Sequence, residues 1–304
     1  MVNEHFAQAI EAAGLMPPDT IYADGRLHRF SSTGHRTDKA AWYVLHDDGV
    51  AAGAFGCWRT GLTETWCSKA VNHMTAIERE TMVRLVKQAK TQNIQEAIVR
   101  TQKTQMAATG KWEAATPAGQ HPYLRAKGVL GYNLRVEGDL LLVPLRDTSG
   151  TMHSLQTIAP DGSKRFMTGG RVRGCYHSMG RADVAIVICE GVATAHSVRE
   201  ATGLAVVAAF SAGNLAPVAS ALKLKFPEVP IVLAADDDHA TEGNPGLTAA
   251  RAAALAVGGL VVVPQFPPDR PRKATDFNDL FSLAGAGAVR ACFAEVLEGL
   301  NHGL

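Results

Sequence analysis

An α/β fold with a parallel sheet is predicted for residues 183–304 of this 304-residue chain, preceded by a basic α+β segment and a small β-rich N-terminal one. Two observations carry that prediction. After Arg181 the rhythm becomes strand, helix, strand, helix: apolar runs near 184–189, 204–209, 230–235 and 259–263 alternate with helical patterns near 192–202, 213–224, 245–257 and 286–300. Such alternation builds parallel sheets with helices on both faces. In addition, two of the runs stop abruptly on carboxylates: VAIVICEG ends on Glu190, and IVLAADDD on Asp236, Asp237 and Asp238. Short continuous apolar runs of this kind are strands buried on both faces.

The elements before them read in order. Glu4 to Ala13 carries a helical apolar pattern that stops at Gly14, with Pro17 and Pro18 beyond. IYADGRLHRF and AWYVLHDDGVAAGAF each place Asp-Gly between apolar or aromatic runs, which predicts hairpins. This small β-rich domain is expected over 1–70. From Thr75 to about Ala115 the pattern is helical, polar and basic, with an interrupted apolar stripe of Ile77, Met82, Leu85, Val86 and Ala89; 71–118 is read as a helical connector. Over 119–182 a short helix, HPYLRAKGV, leads into strands whose hairpin turns fall at Thr148–Gly150 and Asp161-Gly162.

Charge is unevenly spread although the whole chain is formally +1. Residues 71–136 hold ten Lys/Arg against four Asp/Glu, 137–182 six against four, and 183–304 eight against thirteen. A basic middle beside an acidic end suits a protein that grips phosphates with one part and a metal with the other. Ligands of open α/β sheets bind outside the carboxyl ends of the strands, so Glu190, Asp236 and Asp238 can surround one point. Converging carboxylates repel unless a cation neutralises them, and hard oxygen ligands suit magnesium, or manganese in its place. Asp237 alternates to the other side of an extended backbone.

Five cysteines without CxxC spacing argue against a disulfide scaffold or a zinc ribbon. Cys175, Cys189 and Cys292 read as buried thiols; Cys57, Cys67 and His73 fit no standard metal spacing. No signal-peptide pattern and no apolar run of membrane-spanning length is evident, so a cytoplasmic protein without membrane contact is expected.

CEGVATAHS and AADDDHATEGNPGLTAARAAA together resemble the Toprim domain of bacterial-type primases, topoisomerases and several nucleases. The resemblance implies Glu190 as catalytic glutamate and Asp236 and Asp238 as paired metal ligands, while ATDFNDL resembles the third acidic motif and implies Asp276 or Asp279 nearby. Primases place a small residue between the two aspartates; here Asp237 intervenes and HATEGNPG lengthens the loop, so the ligand set among the three stays open. HPYLRAKGV, LLLVPLRDTSG and KRFMTGGRVRG resemble the basic subdomain that precedes Toprim in such primases, which implies Lys164, Arg165, Arg171 and Arg173 as nucleotide- or template-binding, with Arg125, Lys127 and Arg146 behind them. AGAFGCWRTGLTETW resembles the leading domain of primase-like proteins of plasmids, phages and integrative elements, where Trp42, Trp58, Arg59 and Trp66 either stack single-stranded bases or form the domain's own core. The implied function is primer synthesis: ribonucleoside triphosphates joined on a single-stranded DNA template. No GxxxxGK[ST] sequence is present, so a separate replicative helicase is expected as partner. A Toprim nuclease and a non-catalytic single-stranded-DNA binder are the rival readings.

Overall fold

Residues 2–35, 38–57, 60–69 and 75–301 are described by the structure, a computed structural model. They fall into two units, Met1–Gln95 and Glu96–Leu304.

In the first unit helix α1 (Val2–Ala12) packs on an antiparallel sheet of β1 (His28–Phe30), β2 (Ala41–His46), β3 (Ala52–Cys57) and β4 (Leu62–Cys67), in that order. Along β2 the period of two is plain: Ala41, Tyr43 and Leu45 are buried while Trp42, Val44 and His46 are half-buried. Phe6 of α1 is the hub, meeting Tyr43, Phe55 and Trp66 edge-on at centroid distances of 5.9, 5.7 and 5.3 Å. Such aromatic pairs add to simple area burial. Gly56 on β3 leaves room for Trp42, since a Cβ there would lie 3.1 Å from the indole and 2.2 Å from the Leu62 carbonyl oxygen. The second Asp-Gly forms the β2–β3 hairpin as expected. The first does not form one: Asp24 makes an isolated bridge to His46, and its Oδ1 accepts from the Arg26 N–H and pairs with His28. A local Asx turn has won there over strand pairing.

Trp66 therefore belongs to the core, and Trp58, Arg59 and His73 lie outside the described residues. Cys57 and Cys67 sit at opposite ends of the β3–β4 pairing, opposite Leu62 and Ala52, so they do not share a metal.

Helix α2 (Ala76–Ala114) contains the predicted connector stripe, whose side chains are outside the described set. In the second unit its last turns pack against an antiparallel sheet of β5 (Thr116–Pro117), β6 (Arg135–Glu137), β7 (Leu140–Arg146), β8 (Met152–Ile158) and β9 (Lys164–Phe166). Ala108, Trp112 and Ala115 cover Leu142, Met152 and Leu155, and Thr104 Oγ1 donates to the Thr168 carbonyl at 3.0 Å. Both predicted turns form hairpins here. The short helix α3 (Pro122–Lys127) has Pro122 in its first turn, a cap from His121 accepting the Tyr123 N–H, and a left-handed Gly128 at its end.

The third sheet is mixed, ordered β10-β12-β11-β13-β14: β10 (His177–Met179) is antiparallel to β12 (Ala205–Ala208), while β12, β11 (Ile186–Cys189), β13 (Ile231–Ala234) and β14 (Leu260–Val262) are parallel. Helices α4 (Val192–Thr202) and α7 (Phe277–Cys292) cover one face with Val187, Cys189, Val232 and Ala234. Helices α5 (Ala212–Lys225) and α6 (Pro245–Val257) cover the other with Ile186, Ile188, Ile231 and Leu233. Alternate residues of one strand thus face two different cores, which is why each strand reads as unbroken apolar sequence. Ile186 to Cys189 pair in register with Ile231 to Ala234, so the residues following both strands emerge at one end.

Two elements depart from the sequence-based expectation. β10 has only three residues and lies at the edge, too short to leave a periodic signal. The last helix starts at Phe277 rather than near 286, because Asp276 and Asp279 form a capping box that opens it. Gly285 (φ 77°) kinks α7, and α8 (Ala294–Asn301) follows. Contrary to the sequence reading, Phe277–Gly299 is long and apolar enough to cross a membrane by length and composition, with a mean hydropathy of 1.5. Its Phe277, Leu280, Val289 and Phe293 are packed into the core of the sheet's first face, while 17% of the apolar window as a whole is buried.

Candidate active site

β11 and β13 deliver their carboxylates to the same end of the sheet, and the N-terminus of α7 brings two more. Asp276 caps that helix: its Oδ1 accepts the Asp279 N–H at 2.8 Å, and its Oδ2 accepts from Thr194 Oγ1 at 2.9 Å. Asp279 returns the cap, its Oδ2 accepting the Thr275 N–H at 2.8 Å. Glu190 follows β11 directly, and its carbonyl oxygen accepts the Phe210 N–H at 2.8 Å. Phe210 holds a left-handed φ of 72°, a strained conformation for a bulky residue beside the cluster.

Asp236 and Asp238 flank a loop fastened by their neighbour. Asp237 Oδ2 accepts from Arg270 Nη1 at 2.6 Å, its Oδ1 from Asn244 Nδ2 at 2.7 Å, and its carbonyl from Arg270 Nη2 at 2.8 Å. The Arg270 guanidinium lies 4.2 Å from the Phe266 ring centroid. Burial opposes ionisation of Asp237, but the Arg270 and Asn244 bonds outweigh it and keep its pKa below the usual value. Asp237 is therefore turned away and used structurally. Asp238 Oδ2 accepts the Gly246 N–H at 2.9 Å, at the start of α6, and its own N–H donates to Asn244 Oδ1 at 2.8 Å. A Cβ at Gly246 would fall 2.8 Å from the Asp236 carbonyl oxygen and 2.9 Å from Asp238 Oδ2.

Asp236 lies at the centre of the repulsion. Burial first, then the charges of Asp276, Glu190, Asp238 and Asp279, push its pKa up to about 8. Its Oδ1 is buried without a hydrogen-bond partner among the described residues. Burial also raises Glu190, aided by Asp238 and Asp276 and opposed by the Ala212 backbone N–H and Lys164. Asp276 is raised by burial and by Asp279. No three His, Cys, Asp or Glu side chains among the described residues converge at coordinating distance. An orphaned carboxylate oxygen inside mutually repelling acids nevertheless fits a hard divalent cation, whose charge would relieve that repulsion.

Of the predicted basic residues, Lys164 reaches this cluster. Much of it faces solvent, and its ammonium lies 5.6 Å from the Tyr123 ring centroid. Burial and the charge of Lys127 lower its pKa, while Asp276, Glu190 and Asp236 pull it back up. The others are elsewhere. Arg171 Nη1 lies 3.8 Å from Asp147 Oδ2, and Arg165 acts on Asp161 across a turn. Arg173 is exposed, without an ion pair among the described residues. Two site residues escaped the sequence reading or were set in the background. Lys127 sits at the end of α3, and its carbonyl accepts from Asn278 Nδ2 at 2.7 Å. Thr194, a buried hydroxyl four residues after Glu190, could have been singled out as the polar residue in an apolar helix start.

Losing the Asp237–Arg270 pair should loosen the loop rather than remove a ligand. Asp237→Ala is expected to lower the melting temperature by several degrees, since breaking a half-buried hydrogen-bonded pair costs about 1–3 kcal/mol. Metal affinity should stay within about threefold of wild type. A hundredfold loss of metal affinity at unchanged stability would instead make Asp237 a ligand.

The sheet is mixed, with a glutamate after one parallel strand and aspartates after its neighbour, and residues 185–287 match the family model of the Toprim domain. Beyond it, the chain is similar to the DNA primase TraC of Escherichia coli, 38% identical over an alignment of 289 positions that covers 88% of this chain and 20% of that protein. A second Escherichia coli DNA primase TraC is 37% identical over an alignment of 286 positions that covers 88% of this chain and 27% of that one. The chain thus spans between a fifth and just over a quarter of the length of these relatives. Among solved structures, the DnaG primase catalytic domain bound to single-stranded DNA is a more distant likeness: 14% identity, 65% of this chain and 80% of that one, TM-score 0.45.

Proposed function

We propose that this chain is the nucleotidyl-transfer core of a DNA primase, joining ribonucleoside triphosphates on a single-stranded DNA template in the cytoplasm during replication or transfer of a mobile element. The observation that carries this reading is the convergence of Glu190, Asp236, Asp238 and Asp276 on one end of the Toprim sheet with Lys164 facing them. The likeness to the TraC primases supports it.

Asp236 and Asp238, with Asp276 beside them, would hold magnesium, which when bound neutralises triphosphate charge. The chain's own groups do the rest. Lys164 holds the triphosphate of the incoming nucleotide, drawn between the carboxylates and that anion. Glu190, whose pKa burial raises above the ordinary carboxylate value, takes the proton from the 3′-hydroxyl. That oxygen bonds to the α-phosphorus as the bond to the β-phosphate oxygen breaks and pyrophosphate leaves. A separate helicase would supply the unwound template.

Labelled ribonucleotides, a single-stranded template and magnesium test the reading on a gel. Short RNA products are expected; a shortened template would mean a nuclease, and a shifted but unchanged template a binding protein. Within the same assay Lys164→Ala should lower kcat/KM for nucleotide addition by roughly a hundredfold, the scale of one lost transition-state donor. Arg171→Ala should change it by less than about threefold, because its partner is Asp147. Equal losses in the two variants would remove Lys164 from the site.

A further inference from the structure

A cleft with polar and apolar walls lies in the same unit, with none of the clustered carboxylates in its lining. It holds about 440 Å³ between the end of α2, the face of β7 and the edge strand β10. Two arginines project into it. The Arg135 and Arg146 guanidiniums lie 4.9 and 6.0 Å from the Trp112 ring centroid. Neither has a carboxylate within ion-pair distance among the described residues, although Asp147 is next in sequence; its carboxylate is taken by Ser149, His153 and Arg171. Arg135 Nη1 donates to the Trp112 carbonyl at 2.6 Å and to those of Glu113 and Ala115 at 3.4 Å, and Arg146 Nη1 to the Gly150 carbonyl at 2.9 Å. A guanidinium has five N–H donors in a planar fork, so most of this pair's donors remain for a ligand.

Two cations side by side on one indole are costly without an anion. Burial, with the Arg135 charge added, lowers the pKa of Arg146. The floor of the cavity adds a second kind of group. His177 is 2% exposed, lines the cavity, and its Nε2 has no hydrogen-bond partner among the described residues. Its ring stacks on His196 at 5.6 Å, and burial keeps it neutral, with a pKa of about 3. A neutral imidazole keeps one ring nitrogen as an acceptor, and Nε2 is the one left without a partner. Arg135 and Arg146 suit phosphate oxygens, and a neutral imidazole acceptor suits a sugar hydroxyl or a base amino group.

We infer that this cavity is a second nucleotide site, with Arg135 and Arg146 binding a phosphate and His177 Nε2 accepting from the sugar or base. It goes beyond the polymerase reading, since none of its lining residues acts on the carboxylate cluster. The phosphate comes either from a nucleic-acid strand or from a free nucleotide.

The test uses the full chain in EDTA, so that no cation loads the carboxylate end. Fluorescence anisotropy is read with two probes, a labelled single-stranded oligodeoxynucleotide and a fluorescent ATP. Arg146→Gln and, independently, Ser178→Glu, an exposed rim position on β10, should each weaken one probe roughly tenfold, the scale of one lost charge-assisted contact. If the oligonucleotide is the one weakened, the strand is the source, and Arg146→Gln should also lower its log–log salt slope by roughly 0.7. If ATP is weakened, the source is the free nucleotide. Arg251→Gln, an exposed position on α6 outside the cavity, should leave binding of that probe unchanged. Wild-type affinity for both probes in both variants overturns the inference, as does an equal loss in Arg251→Gln. Should Arg146→Gln unfold, Ser178→Glu alone decides. Primer synthesis is not measured, so failure here leaves the polymerase reading untouched.

Discussion

Replacing Asp236 with asparagine is expected to abolish metal-dependent nucleotide addition, by roughly a thousandfold or more, while raising the stability of the metal-free protein. Both effects have one cause. Asp236 is buried and the other four carboxylates press on it, and burial first, then those charges, push its pKa up to about 8. The folded pKa lies above the ordinary value of 3.8, so between about pH 4 and pH 8 the folded state keeps a proton that the unfolded state releases. Stability must then fall as pH rises through that window, by up to about 1.4 kcal/mol per pH unit for a whole proton. Glu190 and Asp276 are raised as well and add to the fall. A divalent cation should reverse it, because binding favours the ionised folded form. Melting curves from pH 5 to pH 8, with EDTA and with magnesium, give the answer. An Asp236→Asn protein with wild-type activity would sink its role, and an unchanged pH slope would mean that the carboxylates do not repel as argued.

Cutting the chain at Thr116 is expected to do more damage than cutting it at Glu96. The shorter fragment keeps every carboxylate and the whole mixed sheet, yet it loses Ala108, Trp112 and Ala115 from over Leu142, Met152 and Leu155. It also loses the Thr104 bond to the 168 turn. Each apolar side chain returned to water costs about 1.5–3 kcal/mol. A melting temperature roughly 10 °C or more below that of the 96–304 fragment follows. Equal melting temperatures would show that the last turns of the long helix do not stabilise the second unit.

The mixed sheet was legible because strands covered on both faces carry unbroken apolar sequence and end where polarity returns. That is why Glu190 and the aspartate triplet stood out. The end of the chain was less legible. In ATDFNDL the acids at 276 and 279 suggested ligands, but the same spacing is a capping box, and reading it so would have started the helix at Phe277. The role of Asp237 followed from strand alternation, whereas its partner Arg270 is 33 residues away and local sequence cannot reveal it. The basic residues were least legible of all. Charge alone does not tell Lys164, which meets the acids, from Arg171, which meets Asp147. Only the pairing of β8 and β9 and the turn after β7 separate them. In the N-terminal unit the aromatic residues read equally as a stacking surface and as a core, and the contact of Phe6 with Trp66 assigns that tryptophan to the core.

Gly246 brings neither charge nor hydrogen-bonding side chain to the cluster, yet the backbone and carboxylate of two aspartates close to within 3 Å of the space a methyl group would need. The vacancy of that one side chain lets the helix amide reach Asp238. A position that a chemist would pass over is therefore under as tight a steric constraint as the acids are under a chemical one, and even alanine there would prise the helix from the carboxylate edge. The geometry of this acidic cluster is written partly in what is left out of the sequence.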